Sequence, residues 1–180
     1  MDDTSQKRLE RKLSPQTVAG NLQRASLFLV AYELLRAAIV DQVRGFYVNG
    51  MRDGKLVYDE RSYEADVSAR HKKVFQASCL WLQEQNVFTA DDVAELQLIR
   101  EHRDRIAHEL PQLMVDPEFE IDMSLLERAR YHLGAVGRYW GALAAEFGEI
   151  PPEEVDYEGV MSMSMLLLEY IISSVSEADG

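Results

Sequence analysis

Apolar side chains recur at three- and four-residue steps along most of this chain, and that period restricts it to helices burying one face against one another. Between about Gln16 and Tyr47 these positions include Leu22, Ala25, Leu27, Phe28, Ala31, Leu34, Leu35, Ala38 and Ile39, with Pro15 placed to open the helix. Asn49-Gly50 and Asp53-Gly54 are turn signals, and Lys55-Leu56-Val57-Tyr58 reads as a small extended excursion. A second helix is predicted from about Arg61 to Gln85, with Tyr63, Val67, Val74, Phe75, Cys79, Leu80 and Leu82 on its apolar side. Thr89-Ala90-Asp91-Asp92 begins a third, with a hydroxyl cap and acids in the first turn, where the helix dipole favours negative charge. It runs to Leu110, where Pro111 stops it. A loop with Pro117 leads to a fourth helix from about Asp122 to Phe147, ended by Gly148 and Pro151-Pro152. A fifth, rich in methionine and leucine, occupies about Glu153 to Ser174. Residues 1–15 read as a polar lead with a basic cluster of Lys7, Arg8, Arg11 and Lys12. The expected fold is all-α, an antiparallel helical bundle of four to five helices forming one domain over residues 1–180.

A chain of 180 residues can bury about two-thirds of its unfolded surface, so it needs no staple. Cys79 is the only cysteine, which excludes an internal disulfide and a cysteine zinc site; it reads as a small buried hydrophobe. That usage fits a reducing cytoplasm. The polar N-terminus does not resemble a signal peptide, and the apolar run near Val160 to Val175 is too short and too polar to span a bilayer, so no membrane anchor is expected. The net charge of -12 is uneven: beyond Arg138 there are nine acids and no Lys or Arg, while residues 1–138 hold 22 acids against 19 bases. A general nucleic-acid coat should be basic. Any RNA contact here must be local, built from a few arginines.

The third helix carries the most informative residues. Its apolar stripe is Leu96, Ile99, Ile106 and Leu110, and the member missing between Ile99 and Ile106 is position 103, an arginine. A buried guanidinium needs compensation. Arg103 either pairs with a carboxylate such as Glu33 on the first long helix, or snorkels to solvent, or binds a phosphate at the floor of a cleft. His108 can give or take a proton near neutral pH. Asp104, four residues before it on the same face, is placed to hold the imidazole, and Arg100 continues the stripe. Arg103 and His108 lie five residues apart, about 140° around a straight helix. Both reach one phosphate only if the last turn distorts or a second subunit supplies its own copy.

The segment Arg103-Asp104-Arg105-Ile106-Ala107-His108 resembles the signature of the HEPN superfamily: an arginine, a polar residue, then a histidine a few residues on, late in a bundle helix. The resemblance implies an all-helical domain of about this size and a metal-independent endoribonuclease, often a toxin of a toxin–antitoxin system or a defence effector, acting as a homodimer whose two motifs face one cleft. It further implies an RNA substrate, an antitoxin or regulatory protein as partner, and no cofactor or metal. Where HEPN toxins paired with a nucleotidyltransferase carry a tyrosine two residues past the histidine, this chain has Leu110, so that modification has no acceptor. On this reading His108 moves the proton, Arg103 binds the scissile phosphate and Asp104 orients the ring. Arg100 and Arg105 hold flanking phosphates, or else form surface ion pairs such as Glu101 with Arg105.

Other chemistries find little support. None of His71, His102, His108 and His132 has an acid three residues before it, as a ferritin-like di-metal bundle requires. Phosphate-binding glycine loops are absent. His102 is expected to face solvent, His71 and His132 to have ordinary structural or surface roles, and Trp81, Tyr139 and Trp140 to sit in the core. The alternative from another class is a non-catalytic HEPN-like dimerisation or protein-interaction module whose interface is the Met/Leu-rich last helix.

Overall fold

The computed structural model describes residues 3–116, 118–148 and 161–178 of the chain. Pro117, the Pro151-Pro152 pair and the expected start of the last helix at Glu153 lie outside the described residues. The protein is mostly helical, with eight α-helices and one two-stranded sheet among the described residues.

The polar lead is itself helical. α1 spans Asp3–Lys12, a segment of strong helix formers. It ends before Pro15, which pushes Ser14 into extended backbone (φ -60°, ψ 142°), and the Ser14 Oγ then accepts from the Thr17 N–H at 3.3 Å. α2, Pro15–Gly45, follows and packs against α4 (Val74–Glu84), α5 (Ala90–His108), α7 (Met123–Glu146) and α8 (Met163–Ala178). Ala25, Phe28, Ala31, Leu35, Ile39 and Val43 are almost wholly buried along it.

After α2 the chain makes a hairpin, β1 (Val48–Arg52) paired antiparallel with β2 (Lys55–Tyr58), in the register Met51 opposite Leu56. Asp53 (φ 52°) and Gly54 (φ 73°) form the two-residue turn, the backbone that matches strand twist. Asn49-Gly50, expected as a second turn, lies within β1 at its register shift. The helix expected over 61–85 is broken into α3 (Glu60–Asp66), a 3₁₀ turn at Ser68–Arg70, and α4. Between Val67 and Phe75 no side chain is buried, so nothing holds that stretch in one continuous helix, and His71 is fully extended (φ -161°, ψ 149°).

Thr89 caps α5 in a reciprocal box: its Oγ1 accepts from the Asp92 N–H at 3.1 Å, and the Asp92 carboxylate accepts from the Thr89 N–H at 2.8 Å. α5 ends at His108, but a helix rather than a loop follows. Pro111 sits in the first turn of α6 (Leu110–Val115), where its missing N–H costs nothing. α7 is capped by Asp122 and ends before Gly148 (φ 73°). α8 approaches α7 at Gly134 and Gly137, where an added Cβ would meet Met165 Cε and Ser162 Cβ, each at 3.2 Å. Met165 packs on the core, whereas Met163, Leu166, Leu167 and Tyr170 are exposed.

Cys79 is wholly buried on α4, and burial pushes its thiol up to about 12. The thiolate that thiol reagents require is therefore scarce at pH 8. The folded protein is expected to resist a disulfide-exchange reagent at that pH and to react fully in denaturant. Rapid labelling without denaturant would show that α4 opens readily.

Candidate functional site at the end of the fifth helix

Leu96, Ile99 and Ile106 are buried and hold α5 against its neighbours, and position 103 of the same stripe points toward α2. There the Arg103 guanidinium pairs with Glu33, the partner the sequence suggests, and with Asp104 at 3.2 Å; it also lies 5.3 Å from the Tyr32 ring centre. The pair is not deeply buried: the Arg103 side chain is 29% exposed and that of Glu33 47%. Burial works against the arginine's charge, yet the two carboxylates outweigh it and hold its pKa above the ordinary arginine value. Its Nε is buried without a hydrogen-bond partner among the described residues. Beside it Leu29, Val30 and Leu34 of α2 and Ala107 of α5 line an apolar groove of about 410 Å³.

The remaining motif residues diverge. The Asp104 carboxylate faces Arg103 and, at 3.7 Å, Arg100; among the described residues no hydrogen bond or ion pair joins it to His108. The carboxylate expected to orient the imidazole thus serves two arginines. His108, the last residue of α5, is exposed, and its ring makes no hydrogen bond or ion pair among the described residues. Arg105 points elsewhere, stacking 4.0 Å from the Phe119 ring centre and pairing with Glu109 at 3.2 Å, not with Glu101, which accepts from Gln97. His102 is half-buried rather than exposed. Its Nε2 accepts from the Asp122 N–H at 3.0 Å, its ring meets Phe28 edge-on, and burial lowers its pKa.

A second cluster has no counterpart among the sequence-predicted site residues. His132, expected in an ordinary role, is wholly buried on α7, with its Nε2 2.6 Å from a Glu95 carboxylate oxygen on α5. One ligand atom each from Asp92, Glu95 and His132 fall within 4.8 Å of one another. A neutral imidazole with two carboxylates is a donor set that a divalent cation accepts. Two observations tell against that use. Arg128 Nε lies 2.7 Å from both Glu95 oxygens, and among the described residues the buried His132 Nδ1 lacks the partner a metal-bound ring needs for its other N–H. The cluster is better described as a clamp between α5 and α7. Asp92 and Glu95 share a helical face three residues apart, but nothing local in the sequence assigns them a partner on α7.

Compared with protein-family models, with curated proteins and with solved structures, the chain finds no match in any of the three.

Burial holds His132 below its ordinary pKa, with the Glu95 hydrogen bond opposing. Unfolded, the ring takes up a proton near pH 6.5; folded, it does so only at lower pH. Below about pH 6.5 the unfolded state therefore binds more protons, and stability falls as the pH drops. Denaturation midpoints at pH 7.5 and 5.5 should show this fall, reduced but not abolished in His132→Gln, since His102 is shifted the same way. An equal fall in both proteins would assign the linkage to other groups.

Proposed function

We propose that this chain is a HEPN-type, metal-independent endoribonuclease, a toxin or defence effector that works as a homodimer. The observation that carries the reading is His108: an exposed imidazole without a hydrogen bond or ion pair among the described residues, five positions beyond an arginine held charged at the edge of an open groove. α5 remains helical through His108, so the two side chains of one copy diverge by about 140°. A second copy then completes the site, with the groove beside Arg103 as part of the contact.

In the reaction, one His108 takes the proton from a ribose 2′-hydroxyl, and the 2′-oxygen attacks the adjacent phosphorus. The 5′-oxygen of the next nucleotide leaves with its bonding electrons and accepts a proton from the other copy's imidazolium. The products are a 2′,3′-cyclic phosphate and a 5′-hydroxyl. Arg103 stabilises the charge that grows on the phosphoryl oxygens, exchanging Glu33 for the substrate. Of the two arginines expected at flanking phosphates, Arg100 lies beside the motif with Asp104 at 3.7 Å, whereas Arg105 is turned to Phe119 and Glu109 and would have to leave them to take that role.

Purified protein incubated with mixed RNA in a metal chelator should cleave it, with activity falling about 10²-fold or more in His108→Ala and Arg103→Ala. Intact RNA with the wild-type protein, or undiminished cleavage by both variants, would overturn the proposal. Arg103–Glu33 would then be a link between α5 and α2. The exposed Met163, Leu166, Leu167 and Tyr170 of α8 would make a non-catalytic interaction module the leading reading. A second variant probes the arginine's exchange of partners. Glu33→Gln removes the competing carboxylate and should lower the RNA concentration needed for half-maximal cleavage several-fold; an increase would mean that Glu33 positions Arg103 instead of competing for it.

A further inference from the structure

A cavity lies away from Arg103 and His108, where α1 meets the start of α2. It measures about 650 Å³, within the range of small-molecule sites, and Arg8, Arg11, Thr17, Asn21 and Arg24 line it together with the segment from Glu118 to Met123. Lys12 builds its base. This lysine is 9% exposed, and its ammonium donates to the backbone carbonyls of Asp116 and Phe119, the latter at 2.6 Å. Carbonyls satisfy its hydrogen bonds without cancelling its charge. They also tie α1 to the segment between α6 and α7, so the two walls of the cavity are fastened together.

What sets this cavity apart is that its cations converge; single unpaired arginines such as Arg36 and Arg138 stand exposed and apart on other faces among the described residues. Arg44, Arg103, Arg128 and Arg130 are each paired with a glutamate. Arg11 and Arg24 make no ion pair among the described residues, and Arg8 only touches Glu118, at 3.6 Å across an exposed gap. In a chain of net charge -12 carboxylates are plentiful, yet four cationic groups converge on one cavity where the lining acids among the described residues are Glu118 and Glu120. Such a cluster raises its own electrostatic energy and is relieved by an anion. Arginine forks matched with the neutral donors of Thr17 and Asn21 suit the tetrahedral oxygens of phosphate better than a planar carboxylate.

We infer that the cavity between α1 and α2 binds a phosphate group, with Arg11 and Arg24 as its principal contacts and Arg8 at the rim. The inference is independent of the ribonuclease reading, since neither Arg103 nor His108 lines the cavity. The phosphate belongs either to a small anion or to an RNA strand, and the shared chemistry is the tetrahedral oxyanion.

Calorimetric titration of the full chain with pyrophosphate at low salt tests it, beside Arg11→Gln, Arg24→Gln and the double variant. Saturable binding that weakens about ten-fold in each single variant, and weakens with added salt, is the expected result. No binding, or binding indifferent to both substitutions, overturns it. Thermal melts of the variants show whether α1 has come loose; because Arg11 and Arg24 are exposed and make no ion pair among the described residues, the melts should match the wild type. A parallel titration with a short RNA of non-cleavable 2′-O-methyl sugars separates the sources. Sensitivity of RNA binding to the same variants assigns the site to a strand, and insensitivity, with pyrophosphate binding retained, assigns it to a small phosphate compound. The component of pyrophosphate binding that the Arg11 and Arg24 variants remove should persist in Arg103→Ala, whose residue does not line the cavity, so failure of the ribonuclease proposal and failure of this one are read separately.

Discussion

The burial of α2 on several sides is the constraint on which the arrangement depends. A helix apolar around most of its circumference has to be covered by more than one neighbour, and α4, α5, α7 and α8 all pack on it. This also settles how α5 lies. Leu96, Ile99 and Ile106 go inward, Phe28 of α2 meets the His102 ring, and position 103 is left beside Tyr32 and Glu33. The two carboxylates around Arg103 therefore follow from helix packing and need no loop to deliver them.

Elements that carry their own boundary signals are legible in the amino-acid sequence. α2, α5 and α7 lie within two residues of their expected limits because Ser14-Pro15, Thr89 with Asp92, and Asp122 mark their starts in local chemistry. Elements without a local signal are not legible in this way. α1 is polar along its length, and its tertiary anchor, the Lys12 ammonium on carbonyls more than a hundred residues away, leaves no periodic trace. Pro111 is ambiguous in principle: the same ring ends one helix and suits the first turn of another. The break after Val67 reflects a stretch with no apolar anchor, where the pattern allows either a helix or its interruption.

Site residues divide along the same line. The Arg103–Glu33 pair can be anticipated because a charge in an apolar stripe needs a neighbour on the facing helix. Helical spacing offers Arg105 two acids, Glu101 four residues before it and Glu109 four after, and Phe119 holds the guanidinium on the Glu109 side. Spacing ranks candidate partners within one helix; it is blind to an aromatic face supplied from elsewhere. The His132–Glu95 contact is invisible for the converse reason, since each residue looks ordinary on its own helix.

The energetics of position 103 bear on why an arginine stands there. A half-exposed ion pair contributes at most about 1 kcal/mol. A leucine buried in the same stripe contributes about 1.5–3 kcal/mol. Packing alone therefore favours leucine, and the link to Glu33 does not close the gap. The partial exposure that makes the pair weak also makes it exchangeable: on the proposed reading, an incoming phosphate would displace a carboxylate that is itself nearly half in solvent, at little desolvation cost to the protein. A deeply buried pair would be locked, and a fully exposed arginine would hold its ligand no better than water does. Position 103 lies between these limits, where a guanidinium keeps its charge and can still change partners.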